Sequence, residues 1–470
     1  MKFFKSLEFR NCIKTLGFIL VATVLLGIIF PVLNYKDMGG GGGFQRFYDS
    51  PEDSMDAIFF GSSRAHCTID HGYLWDQYGI AGYTLSAGSQ KLDSTYYCVR
   101  EALRKQNPKV IFVEVSQVNN GQIDNNETDV YRNYLGMKFS QVSLSFANYL
   151  GTQLNMSREE KEELYTRFPI IHSRYKELEK ADFVDKIPFM RGYRGSFEVV
   201  PFEVPVETEQ TIEITPDNQD YIQKIIQLTK KKNVPLVLFA SPYVVSEEDQ
   251  MRINTVAEIA GENDIPFINF NHLYQTIGID FTSDFRDESH VNNAGAKKVT
   301  EYLAQYMIEN YSLLDHRGDE KYLLWDQNAR YLHNKEIRHR LEQTDDINEY
   351  LSQLPDEKDD VIIIQFVGNY QALGDAYLDS VVNAGLSTED YDHGGSYIIE
   401  NKSKLTDVDA TDDIYIDANQ TIWIQGEDYS TGIENGVNIV VYDMELKQVI
   451  DVAGDDVYLG LSMSHLELKE

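Results

Sequence analysis

Two short stretches, far apart in the chain, hold residue types that together can activate a hydroxyl. The first is Asp56-Ala-Ile-Phe-Phe-Gly61-Ser62-Ser63-Arg64-Ala-His66, an apolar run that ends in a tight Gly-Ser-Ser turn. The second is Asp287-Glu-Ser-His290. A serine hydroxyl is a poor nucleophile until a base takes its proton, and a carboxylate commonly holds that base in the right tautomer. Asp287 and His290 are three residues apart, so within a helical turn both would lie on one face and reach a serine. A local reading also fits each piece. Gly-Ser-Ser then makes a loop with a helix cap, Asp287 and Asn292 cap the helix from Ala294, and His290 is a surface residue. The combination Ser…Asp-x-x-His is what distinguishes a catalytic set from these separate roles. Ser62 and Ser63 both remain candidates for the nucleophile.

Such a set needs a sheet edge to stand on, and the pattern supplies one. Met55–Phe60, Gly82–Ser86 and Pro108–Val115 read as strands, with helices at Gly72–Tyr78 and Asp93–Gln106 between them. Helices at Asp217–Lys231, Glu247–Asn263 and Ala294–Asn310 alternate with strands at Val234–Ala240 and Ile265–Phe270. Strand-turn-helix-strand at this spacing signals βαβ units and a parallel sheet, and open α/β sheets place their chemistry at the carboxyl edge. Residues 121–215 are less regular, as insertions that wall a site often are.

The N-terminus bounds the location. No charge interrupts Thr15–Tyr35, which is long enough to cross a membrane, and Lys2, Lys5, Arg10 and Lys14 precede it;. The positive-inside rule then leaves the N-terminus cytoplasmic and the rest outside, with a retained anchor favoured over a cleaved signal. Residues 1–36 are read as tip and anchor, and 37–54 as a linker with the glycine run 39–43. Residues 55–312 form the α/β domain, 313–359 a helical connector, and 360–470 a small β-rich or α+β domain. The net charge of −33 argues against nucleic-acid binding. Cys67 and Cys98 are read as a bridge or as buried free thiols, and no metal or cofactor motif is present. Asp407–Asp413 reads as a solvated acidic loop. Arg174 and Arg191–Arg194 read as ion-pairing residues; an anionic glycan held by Arg174 and Tyr175, or by Arg191–Arg194, is the other reading.

At this point the chain resembles the SGNH (GDSL-type) hydrolases. Phe-Phe-Gly61-Ser62-Ser63 is similar to their first block, with Ser62 where an aspartate stands and Ser63 at the nucleophile. Ser86-Ala-Gly88-Ser-Gln90 matches the second block, whose glycine serves the oxyanion hole. Asp287-Glu-Ser-His290 matches the last. The resemblance implies a three-layer, doubly wound parallel sheet of flavodoxin-like type and a Ser63–His290–Asp287 triad. The oxyanion hole would combine Ser63 and Gly88 with Gln117, because the third block here reads Val113-Glu-Val-Ser-Gln117 in place of Gly-x-Asn-Asp; Asn119 is the other candidate. Arg64 and Gln90 would meet substrate.

The likeness is nearest to a membrane-anchored branch that contains the teichoic-acid D-alanine transfer and alginate acetylation proteins, which work with MBOAT-type acyltransferases. It implies an O-acyltransferase or esterase that moves an acyl group such as acetyl or D-alanyl on a cell-envelope or exported glycan, without a cofactor. An accessory protein that binds a glycan or a membrane acyltransferase is the alternative. Gly436–Asp451 resembles the interleukin-like EMT inducer domain, which has carbohydrate-binding relatives.

Overall fold

The computed structural model describes residues 7–33, 43–118, 134–167, 171–178, 180–183, 190–405, 414–417, 420–458 and 463–468. The chain divides into two compact units, Met1–Ala329 and Arg330–Glu470. The first opens with helix α1, Leu7–Leu33. Its segment Arg10–Phe30 has a mean hydropathy of 2.4 and none of it is buried. Such a helix is long and apolar enough to span about 30 Å of hydrocarbon.

Beyond α1 the first unit is a mixed α/β body around a five-stranded sheet. Its strands are β1 (Ala57–Gly61), β2 (Gly82–Ser86), β3 (Val110–Glu114), β4 (Leu236–Ala240) and β5 (Phe267–Asn269), in the order β2-β1-β3-β4-β5. All four pairings are parallel. β1 to β4 are buried at every position, as expected of strands covered on both faces. Side chains alternate between those faces. Helices α2 (Ser63–Thr68) and α3 (His71–Tyr78) follow β1, and Ile58, Phe60, Ile111 and Val113 join the core with helices α4 (Leu92–Ala102), α5 (Pro216–Lys232) and α6 (Glu247–Glu262). On the other face Phe59 stacks on Phe112 at 4.7 Å between ring centres, and Phe112 meets Tyr306 of α7 (Asn293–Asn310). The strand order reverses between β1 and β3, and sheets of this order bind ligands at the carboxyl end of that crevice.

The Asp287-x-x-His290 segment is a hairpin, not a helical turn. Strand β6 (Phe285–Asp287) pairs with β7 (His290–Val291), placing Asp287 opposite His290. The α7 cap is Asn292 alone, whose side chain accepts from the amides of Ala294 and Gly295. Asp287 is turned elsewhere.

The second unit is β-rich. Its six-stranded sheet is built on Asp360–Val367, Gly395–Glu400, Gly436–Asp443 and Gln448–Asp456, and a three-stranded sheet holds Ile414–Ile416 and Ile422–Ile424. Ile362, Ile364 and Phe366 pack on one face with Tyr377, Val381 and Tyr391. Val361 and Ile363 pack on the other with Ile414, Ile422 and Ile424. Tyr377 and Val381 sit on the helix Asp375–Asn383, and Tyr391 on Thr388–His393. Neither helix was expected from the sequence. The acidic stretch Asp407–Asp413 lies outside the described residues, as do Gly39–Gly42.

Candidate active site

Strand β1 ends at Gly61, and helix α2 (Ser63–Thr68) begins two residues later. Ser62 is the cap. Its backbone is extended, its Oγ accepts from the Arg64 amide, and the same hydroxyl donates to Glu114 Oε2 at 3.1 Å. The bend needs glycine. Gly61 has φ +153, and a Cβ there would stand 2.6 Å from the Glu114 Cβ. Gly61→Ala is therefore expected to destabilise the first unit by about 1–3 kcal/mol. The displaced Ser63 should also lose about 100-fold in turnover, the usual effect of a 1 Å error at a reacting atom. Thermal unfolding and an ester assay of the same preparation check both.

Ser63 is half-buried, and its Oγ lies 2.7 Å from His290 Nε2. On the far side of the ring, Nδ1 lies 2.8 and 2.9 Å from the two Asp287 oxygens. A carboxylate only accepts, so Nδ1 carries the proton and Nε2 presents its lone pair to the Ser63 hydroxyl. Burial raises the Asp287 carboxyl, but bonds from His290 and the Ser289 amide, with the nearby charge of Arg286, outweigh it and hold the pKa below the ordinary value. Arg286 Nε stands 3.3 Å from Asp287. For His290, burial is the largest influence and lowers its pKa; Asp287 opposes it, while Arg286 and Arg64 add to the lowering. The ring is therefore neutral, and able to accept a proton, further into acid than an ordinary histidine.

Ser62 and Ser63 thus separate by geometry: Ser62 is fully buried on Glu114, and Ser63 faces the histidine. Gly88 lies in the turn after β2 and Gln117 in a short helical turn after β3. Gly61 pairs with Ser86 across the β1–β2 ladder, so all three turns share one sheet edge. Asn119 lies outside the described residues. Arg64 and Gln90, expected at the substrate, are turned inward. Arg64 is buried, donates from Nη1 to Ser116 Oγ at 2.9 Å, and lies 3.7 Å over the Tyr243 ring. Gln90 is buried and donates to Thr95 at 2.8 Å. Packing at the sheet edge takes both side chains.

One residue at this edge, Glu114, was not anticipated. Glu114 is 2% exposed and bridges Ser62 and the Ser116 amide. The only signal for it was a carboxylate closing the apolar run Val110–Val113. His66 is buried with Nδ1 2.9 Å from Ser86 Oγ, tying α2 to the end of β2. The Arg191–Gly195 loop packs over the same strand end. The Thr84 amide donates to the Arg191 carbonyl, Arg194 N to the His66 carbonyl, and Tyr193 OH to Asn293. Arg191 itself is buried on Ser50, and burial pushes its pKa down to about 10. Arg174 pairs with Asp182 at 2.9 Å. Cys67 and Cys98 are free and buried, and burial pushes the Cys67 thiol up to about 11.

No family model matches the sequence, and no curated protein matches it. Among solved structures, the chain is similar to a protein of Bacteroides fragilis NCTC 9343 described as an acylhydrolase. The identity is 12%, the match covers 56% of this chain and 93% of that one, and the TM-score is 0.29. It is also similar to an acetyl xylan esterase at 12% identity, over 54% of this chain and 98% of the other, with a TM-score of 0.27. A protein of Parabacteroides merdae ATCC 43184 described as a GDSL-like lipase follows at 11%, with coverages of 55% and 96% and a TM-score of 0.26.

Proposed function

We propose that the chain is a membrane-anchored serine O-acyltransferase or esterase of SGNH type, acting outside the cytoplasm on a glycan. The observation that carries this reading is the continuous relay Ser63 Oγ, His290 and Asp287, with contacts of 2.7 and 2.8 Å. Ser63 Oγ attacks an ester carbonyl while its proton passes to His290 Nε2. Asp287 stabilises the imidazolium formed. The amides of Ser63 and Gly88, with the Gln117 side chain, would hold the oxyanion. Collapse breaks the bond to the leaving group, which takes the proton back from His290 and leaves an acyl-Ser63 ester. Water or a sugar hydroxyl then attacks this ester as His290 takes its proton, and collapse breaks the Ser63 Oγ–acyl bond while His290 returns the proton to Ser63 Oγ, which releases the acid or the acylated sugar and restores the resting site.

The α1 helix would hold this site against the membrane, where an MBOAT-type acyltransferase could supply acyl groups.

The test is hydrolysis of p-nitrophenyl acetate by the detergent-solubilised full chain, with and without cellobiose as acceptor, across pH. Only neutral His290 accepts the serine proton, and its pKa is lowered. kcat/KM should therefore rise with pH through a midpoint below the ordinary histidine value of about 6.5 and be flat at neutral pH. Acetylated cellobiose marks transfer; acetate alone marks hydrolysis. A chain with neither product has no such activity.

A further inference from the structure

The turn His172–Lys176 and the helical turn Lys180–Phe183 lie against the exit of α1, and their depth follows from helix geometry. The apolar span of α1 ends at Phe30, and the helix runs on to Leu33. Three residues at about 1.5 Å each put Leu33 about 4.5 Å beyond Phe30. Headgroup layers are about 5–7 Å deep on each side of the hydrocarbon. Any structure that packs on Leu33 therefore sits at headgroup depth if α1 spans the bilayer. Leu33 is buried, whereas the side chains from Arg10 to Ile29 are nearly all exposed.

What covers it is named by contacts. Arg174 Nη1 donates to the Leu33 carbonyl at 3.3 Å, at the electronegative end of the helix;. The same guanidinium makes a two-pronged pair with Asp182, at 2.9 and 3.1 Å, which joins the turn His172–Lys176 to the helical turn Lys180–Phe183. Beside this clamp two large aromatics face outward, Tyr175 at 62% and Phe183 at 67% exposure. Lys176 Nζ lies 5.7 Å from the centre of the Tyr175 ring. Tyrosine is enriched at membrane–water boundaries, and segments that lie in the interface carry lysine on the polar side and phenylalanine on the apolar side.

We propose that Tyr175 and Phe183 enter the outer headgroup layer, so that the first unit rests on the bilayer through a second contact besides α1. Exposed Lys176 is matched by exposed Glu177, and the chain carries a net charge of −33. The contact is therefore made to zwitterionic lipid by ring burial, without need of anionic headgroups. This rests on the reading of α1 as a membrane span.

The test uses the full chain in phosphatidylcholine vesicles, with tryptophan introduced singly as Tyr175→Trp, Phe183→Trp and, as a depth reference, Phe18→Trp within α1. The wild-type signal is subtracted. Lipids brominated near the headgroup or near the chain ends report depth. The proposal expects strong quenching at 175 and 183 by shallow bromine and weak quenching by deep bromine, with the reverse at 18. Quenching at 18 without quenching at 175 and 183 overturns the second contact and leaves the anchor standing. No quenching at 18 overturns the anchor, and the second contact falls with it.

Discussion

Ser63→Ala is expected to lower kcat for p-nitrophenyl acetate by about 10⁴–10⁶-fold, the range seen when a serine nucleophile is removed from a working relay. The physical reason is that Ser63 Oγ is the group that His290 can deprotonate, at 2.7 Å from Nε2. KM should change little, because the hydroxyl contributes to the transition state far more than to ground-state binding. Ser62→Ala is the informative companion. It removes the N-cap of α2 and one donor to the buried Glu114 carboxylate. Stability should fall by about 1–3 kcal/mol, with turnover retained within about tenfold. Steady-state kinetics and thermal unfolding of the two variants check this, and a larger kinetic loss from Ser62→Ala would reverse the assignment.

Asp287→Asn should cost about 10³–10⁴-fold in kcat. The substitution keeps size and shape but removes the negative charge beside a ring that becomes cationic in the transition state. It also sets an amide NH₂ near Nδ1, where a carboxylate oxygen now lies at 2.9 Å. Nδ1–H no longer has two acceptors, and the tautomer that leaves Nε2 free is disfavoured. A second readout separates this from simple misfolding. Asp287 acts to raise the His290 pKa against the lowering caused by burial. Its removal should move the acid limb of kcat/KM to still lower pH. An acid limb that stays in place, or moves up, would contradict the pairing of Asp287 with His290.

How far the sequence could reach is clearest at particular residues. The strand Gly82–Ser86 was read to the residue, because glycine opens it and the Ala87–Gln90 turn closes it. β1 was read as Met55–Phe60 but runs Ala57–Gly61, two residues later at its start and one at its end; Gly61 was assigned to the turn although its backbone still pairs with Ser86. The Asp287/His290 pair was legible as residue types, but its geometry was not. Three-residue spacing suits a helical turn and a two-residue hairpin equally, and only pairing with Val291 and Phe285 selects the hairpin.

Arg64 and Gln90 were misplaced for a related reason: polar residues just past a nucleophile look solvent-facing in a linear sequence. Partners distant in the chain, Ser116 and Tyr243 for Arg64, draw it inward. Glu114 was missed because nothing local distinguishes a buried carboxylate from an exposed one at a strand end. The helices Asp375–Asn383 and Thr388–His393 were hidden by short length and by charged residues at Asp375, Asp379, Glu389 and Asp390.

The central claim is that Ser63 is an activated nucleophile, and covalent labelling tests it most directly. The full chain in detergent is treated with a fluorophosphonate, digested, and the modified residue located by mass spectrometry. The account predicts a phosphonyl adduct on Ser63, abolished by His290→Ala and retained in Ser62→Ala. An adduct on Ser62, or a Ser63 no more reactive than the other serines of the chain, would contradict it.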